Sequence, residues 1–163
     1  MVKRKKNIIY PIAFLIFIVM VIFIIYNLEI RMFLRKEGFI QMKVDEIEIL
    51  GENARIKLEA RCAIINIYTS PQQASAIEEG FQNKTWYRPS THDIIVDIVE
   101  GFGIDPMMVK ITKVQDGTYY AELILLRWNS ILILDIRPSD AIAIAVRTGI
   151  PIYVNENLVT RLC

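Results

Sequence analysis

From Ile40 onward, apolar and polar residues alternate in short runs, and most runs end at a turn-forming residue. Ile40, Met42 and Val44 alternate with polar neighbours as in a half-buried strand, and the alternation slips by one before Ile47 and Ile49, the mark of a bulge. Ile56 and Leu58 alternate with Arg55, Lys57 and Glu59, and Ile65 and Ile67 with Asn66 and Tyr68, giving two strands joined near Arg61. Pro71 then opens a short helix, PQQASAIEEG, with Gly80 as its expected stop. The same order returns later. Leu123 and Leu125 mark one strand and Leu132 and Leu134 another, with Trp128-Asn129-Ser130 turning between them. Pro138 opens the helix PSDAIAIAVRTG, and Gly149 ends it.

Aligning Pro71 with Pro138 gives a shared P-x-x-A-x-A-I pattern and a constant offset of 67 residues, which also places Ile65 and Ile67 on Leu132 and Leu134, and Ile56 and Leu58 on Leu123 and Leu125. The spacing predicts an internal duplication of a hairpin-then-helix unit. Each hairpin is expected to bury one face under its own helix, and Ala141, Ala143 and Ala145 would let the second helix lie close to the sheet. Between the units, Ile94, Ile95, Ile98, Val99 and Phe102 form an apolar stripe on an inserted helix from about Thr91 to Phe102. Val109 and Ile111 suggest a strand, and Gln115-Asp116-Gly117 a hairpin turn. Ile150 to Val154 reads as a strand that Pro151 assigns to an edge, followed by a helical turn over Glu156 to Leu162. The expectation is an α+β fold, a mainly antiparallel sheet built from two hairpin-then-helix repeats plus an inserted helix.

The amino-terminal part differs. Asn7 to Leu28 is 22 residues without a charge, most of them Ile, Val, Phe, Leu and Met, and about 20 apolar residues span a bilayer core. The apolar run is longer than a signal-peptide core and no small-x-small cleavage site follows it, which predicts an uncleaved transmembrane helix. The chain therefore divides into a basic amino terminus and membrane anchor (1–28), a juxtamembrane linker (29–39) with Gly38 as a break, and a domain (40–163). Lys3, Arg4, Lys5 and Lys6 before the segment outnumber Arg31, Arg35 and Lys36 after it, so the amino terminus is expected in the cytoplasm and the domain outside. From Glu37 on, 12 Lys and Arg face 17 Asp and Glu. The domain lacks the basic footprint of a nonspecific nucleic-acid binder, so any such role needs a local patch or metal ions. Cys62 and Cys163 are too few for a disulfide framework or a zinc site, and they do not identify a compartment.

Two short stretches carry candidate chemistry, RPSTHD at 88–93 and RPSD at 137–140. Ser90 or Thr91 can cap one helix, with His92 and Asp93 in its first turn, and Ser139 and Asp140 take similar places after Pro138. Capping does not explain Arg88 and Arg137. An arginine beside the free N–H groups of a helix start makes an anion site, so Arg88, Thr91, Arg137 and Ser139 are candidate phosphate-binding residues. His92 is the only histidine and the sole imidazole available for acid–base work, with capping or packing as the competing explanation. Asp93, Asp97 and Glu100 fall on one helix face, and Asp135 and Arg137 share a sheet face near Asp140. Asp93, Asp135 and Asp140 are thus candidate ligands for Mg²⁺ or Mn²⁺. Glycine-rich phosphate loops, H-E-x-x-H, G-x-S-x-G and Cys-x-x-Cys do not occur, which removes many enzyme classes.

RPSTHDIIVDIVEGFGI, DGTYYAELIL and LDIRPSDAIAIAVRTGIPIYVNE together resemble the bifunctional nuclease domain family over roughly Ile40 to Glu156. The matching positions are Arg88, Thr91, His92, Asp93, Asp116, Gly117, Asp135, Arg137, Ser139 and Asp140. Where the family tends to carry a glutamate early in the first helix, this chain has Gln73. The resemblance implies an α+β fold, homodimers and hydrolysis of RNA and DNA, without fixing catalytic residues. Two functions follow as expectations. One is a membrane-anchored nuclease in which Arg88 and Arg137 hold phosphate, and His92, or Asp93 and Asp140 with a divalent ion, activates water. The other is a non-catalytic, membrane-tethered module for an anionic ligand or a protein partner.

Overall fold

The computed structural model describes residues 9–33, 36–82 and 87–163, with side chains of the first helix described over 12–25. They divide at residue 36 into two compact units. The first is helix α1 (Ile9–Phe33), 25 residues long. It continues past Leu28 into the segment read as linker. Among the described residues no helix is long and apolar enough to cross a membrane, so the fold does not establish the anchor expected over 7–28.

The second unit runs β1 (Phe39–Leu50), β2 (Asn53–Ala60), β3 (Ala63–Thr69), α2 (Pro71–Phe81), α3 (Thr91–Gly101), β4 (Asp105–Gln115), β5 (Thr118–Arg127), β6 (Ser130–Ile136), α4 (Pro138–Thr148), β7 (Ile152–Asn155), a single 3₁₀ turn (Glu156–Leu158) and β8 (Thr160–Arg161). All eight strands join one sheet in the order β6-β5-β4-β7-β1-β2-β3-β8. The pairings are antiparallel except for β4 with β7, so the sheet is mixed.

The 67-residue offset holds in space. It carries β3 onto β6 and α2 onto α4 end for end. The hairpin registers also match, with Ile56 opposite Ile67 in the first and Leu123 opposite Leu134 in the second. The two units flank β7, which reads as the centre of a mirrored strand order. Pro151 therefore does not mark an edge. It precedes the strand, and its carbonyl accepts a hydrogen bond from Val109 N–H, so its missing N–H costs no ladder bond.

The core lies between the sheet and α2 and α4. Ile56, Leu58, Ile65, Ile67 and Ile77 from the first unit meet Leu123, Leu125 and the run Ala141 to Ala145 from the second. All five residues of that run are buried, so the middle of α4 is enclosed while its polar residues fall at its two ends. Gly80 does not stop α2, which continues to Phe81. It sits where the helices cross, and a Cβ there would lie 2.6 Å from Val146 Cγ2 and 2.7 Å from Arg147 Nη1.

Three further expectations change. The apolar stripe of α3 splits, because Ile95, Val96 and Val99 pack on the core while Ile94, Ile98 and Phe102 stay exposed. In the second hairpin, Leu132 and Leu134 are 50% and 39% exposed, whereas their counterparts Ile65 and Ile67 are buried. Finally, the carboxy-terminal segment is one 3₁₀ turn followed by β8, not a helical turn to Leu162. Here β8 pairs with β3, and a disulfide joins Cys62 to Cys163.

Candidate active site

Three helix starts in this domain use the same device differently. At α2, Ser70 is the N-cap and Gln73 reaches back to the Ser70 N–H, a complete capping box. At α3, Ser90 and Asp93 form the equivalent box, with Ser90 N–H donating to Asp93 Oδ2 at 2.7 Å. At α4, the N-cap position is Arg137 and no side chain caps the helix. Asp140 stands where Gln73 and Asp93 stand, but its carboxylate turns to other partners.

Those partners bring the two RPS stretches together. His92 Nε2 lies 3.2 Å from Asp140 Oδ1, although 48 residues separate them. Asp140 Oδ2 accepts from Arg137 Nε at 2.6 Å. The His92 and Asp140 side chains are only 16% and 20% exposed, while Arg137 is 72% exposed. One carboxylate thus orients an imidazole and a guanidinium at once. No hydrogen bond to His92 Nδ1 or to either Arg137 Nη occurs among the described residues, which leaves a base and two donors for a ligand.

Asp93 faces the other way. Its Oδ1 accepts from Arg147 Nε at 2.6 Å, and Arg147 is 9% exposed. Burial pushes the Asp93 carboxyl up, but the hydrogen bonds from Arg147 and Ser90 outweigh it and hold the group below the usual carboxylate range. Asp93 is therefore a structural anion, not a group poised to move protons.

Arg147 was not legible as a site residue. Its Nη1 donates to the carbonyls of Ala76 and Ala143, at 2.8 and 2.9 Å. These two positions differ by 67 residues, so one arginine bridges equivalent carbonyls of α2 and α4 across the duplication. Gly80 is the position equivalent to Arg147, and its missing side chain is the space the guanidinium occupies. Through Asp93 the same arginine fixes the start of α3, and with it His92.

The remaining expected residues divide. Ser139 is buried beside Arg137. Arg88 and Thr91 are exposed, and Arg88 makes no ion pair among the described residues. Asp135 is exposed on β6, opposite Glu122. Asp93, Asp135 and Asp140 do not converge, and among the described residues no three His, Cys, Asp or Glu side chains gather as a metal site. Both oxygens of Asp93 and of Asp140 already accept from neighbours. This arrangement does not fit the Mg²⁺ or Mn²⁺ set expected from the sequence.

An imidazole–carboxylate pair beside an exposed arginine defines a class of site able to bind an oxyanion and move a proton next to it. The family follows from comparison. The bifunctional nuclease domain model matches residues 56–162, and the chain belongs to that family. It is 40% identical over 90 residues to an uncharacterized protein of Mycobacterium tuberculosis, covering 55% of this chain and 53% of that protein. It is 38% identical over 74 residues to Bifunctional nuclease 1 of Arabidopsis thaliana, 44% of this chain and 23% of that protein, and 34% identical to Bifunctional nuclease 1 of Oryza sativa subsp. japonica over an equal stretch. The chain thus spans about half, or less, of the curated relatives it matches.

Proposed function

We propose that the domain hydrolyses phosphodiester bonds in RNA or DNA, with His92 as general base, Asp140 as its orienting partner and Arg137 as the phosphate ligand. The observation that carries this reading is the shared carboxylate, which sets imidazole and guanidinium side by side. Arg137 Nη groups would hold the phosphate oxygens and offset the charge that grows on them. His92 Nδ1 takes the proton of the attacking water as the new P–O bond forms. The imidazolium, stabilised by Asp140, returns that proton to the departing sugar oxygen as the old P–O bond breaks. No step is routed through a metal ion.

The membrane anchor belongs to the same proposal. It is supported by the uncharged run Asn7 to Leu28 and by the exposed apolar side chains on every side of α1 between residues 12 and 25. The disulfide favours the domain on an oxidising side of that membrane, in line with the charges flanking the segment. The homodimer implied by the resemblance is proposed as well, with the open edge of β6 as the surface that a second copy would extend.

The test is cleavage of single-stranded RNA and DNA by the full chain in detergent, with and without EDTA. Wild type is expected to cut in EDTA, and His92→Ala or Asp140→Asn to cut at least about 100-fold more slowly. Cleavage unchanged in both variants rejects the site. Anion binding by Arg137 without turnover under any condition favours the non-catalytic module, a reading that the small number of catalytic groups also supports.

A further inference from the structure

A cavity of about 270 Å³ opens beside Arg137, between the start of α2 and the start of α4. Its lining joins the two duplicated units, with Tyr68, Thr69 and Gln73 from the first and Tyr119, Arg137 and Ser139 from the second. It lies below the roughly 300–1,000 Å³ of pockets for drug-sized ligands, so it suits a small unit and not a duplex.

Its chemistry is lopsided toward donors. The Gln73 side-chain oxygen is committed, because it accepts from Ser70 N–H and from the Thr69 hydroxyl. The Ser70 N–H can only donate, so this contact fixes which end of the amide faces it. The Gln73 amide nitrogen is left without a hydrogen-bond partner among the described residues, in a side chain that lines the cavity. Arg137 spends Nε on Asp140 and keeps both Nη groups. A ligand must therefore bring acceptors. It must also bring a flat face, because Tyr68 is 64% exposed at this cavity and Tyr119 also lines it. Carbonyl acceptors on a planar ring, joined to an oxyanion that reaches Arg137, describe one nucleotide.

We infer that this cavity is a nucleotide subsite, in which a single unstacked base lies against Tyr68, hydrogen-bonds to the Gln73 amide, and leaves its phosphate on Arg137. The inference rests on the reading of Arg137 as phosphate ligand, and it adds Tyr68 and Gln73 as residues that select for a base. Stacking on one aromatic residue is sequence-tolerant, so the subsite would accept many bases and require only that they be unpaired.

The experiment titrates the full chain in detergent with uridine 5′-monophosphate, uridine and inorganic phosphate, by calorimetry. The monophosphate is expected to bind more tightly than either part. Tyr68→Ala is expected to weaken it about tenfold while leaving inorganic phosphate unchanged. Tyr68 is largely exposed, so the variant is expected to fold, and Tyr68→Phe should restore binding. Equal affinity for the monophosphate and for phosphate alone overturns the subsite, as does an unchanged monophosphate affinity in Tyr68→Ala. The outcome is separable from that of the nuclease reading. Tyr68-dependent binding without any cleavage keeps the subsite and rejects the enzyme, whereas cleavage with an unchanged KM in Tyr68→Ala keeps the enzyme and rejects the subsite.

Discussion

The two hairpin-and-helix units share length, register and place in the mirrored sheet, yet one is closed and the other is open. In the first, β8 covers the outer strand, and the hairpin turn is stapled through Cys62 to Cys163. Its helix starts at a complete capping box. In the second, β6 is a bare edge with exposed leucines, the turn carries the exposed Trp128, and the helix has Arg137 where a cap would sit. The covered edge, the stapled turn and the capping box of the first unit are all missing from the second, and the proposed chemistry lies there. Such departures from local consistency are where function is expected.

The closed unit carries the largest expected effect. Cys163→Ser, or reduction, should cost about 5 kcal/mol in the chain-entropy picture, since the bridge closes a separation of 101 residues. Chemical unfolding with and without reductant reads this. An unchanged midpoint would mean that the staple is not what closes the first unit. Next come equivalent core positions. Ile67→Ala is expected to cost about 3 kcal/mol, and Leu134→Ala about 1 kcal/mol or less, because the first is buried and the second is half out of the core. Equal costs in urea denaturation would show that β6 is covered in solution.

The bridge between the units gives a third test. Arg147→Ala leaves Asp93 without its partner and takes the second, side-chain donor from two helix carbonyls, at about 3 kcal/mol. The smallest expected effect is on pH dependence. Asp93 is held below its unfolded value, about 3.9 for a free aspartate. Its contribution is therefore complete above that value and is lost as pH falls through the folded one. Asp93→Asn should flatten this part of the acid limb in a series of unfolding curves below about pH 4. A limb identical to wild type would remove Asp93 from the account.

Much of this was legible in the sequence. The offset of 67 and most strand and helix starts follow from patterns that local physics enforces. Alternation marks strands, and proline with serine marks helix starts. What was hidden depends on long-range geometry. Arg147 looks like a last-turn cation until α2 lies against α4 and supplies a second carbonyl. Two cysteines 101 residues apart give no pairing rule. Pro151 points to an edge only if it lies inside the strand, and it lies before it. Asp93 and Asp140 occupy the same kind of position after the same triplet, and only the partner arginine decides which becomes a strut and which a site.

In the proposed function, α4 lacks a side-chain cap because Arg137 stands there to hold a ligand. Arg137→Ser tests it most directly, because the new serine would recreate the Ser90–Asp93 pairing of α3 and draw Asp140 away from His92. Stability is expected to rise by about 1 kcal/mol, a Tm increase of about 3 °C, while cleavage and phosphate binding are lost in the same sample. A lower Tm with cleavage retained would contradict it.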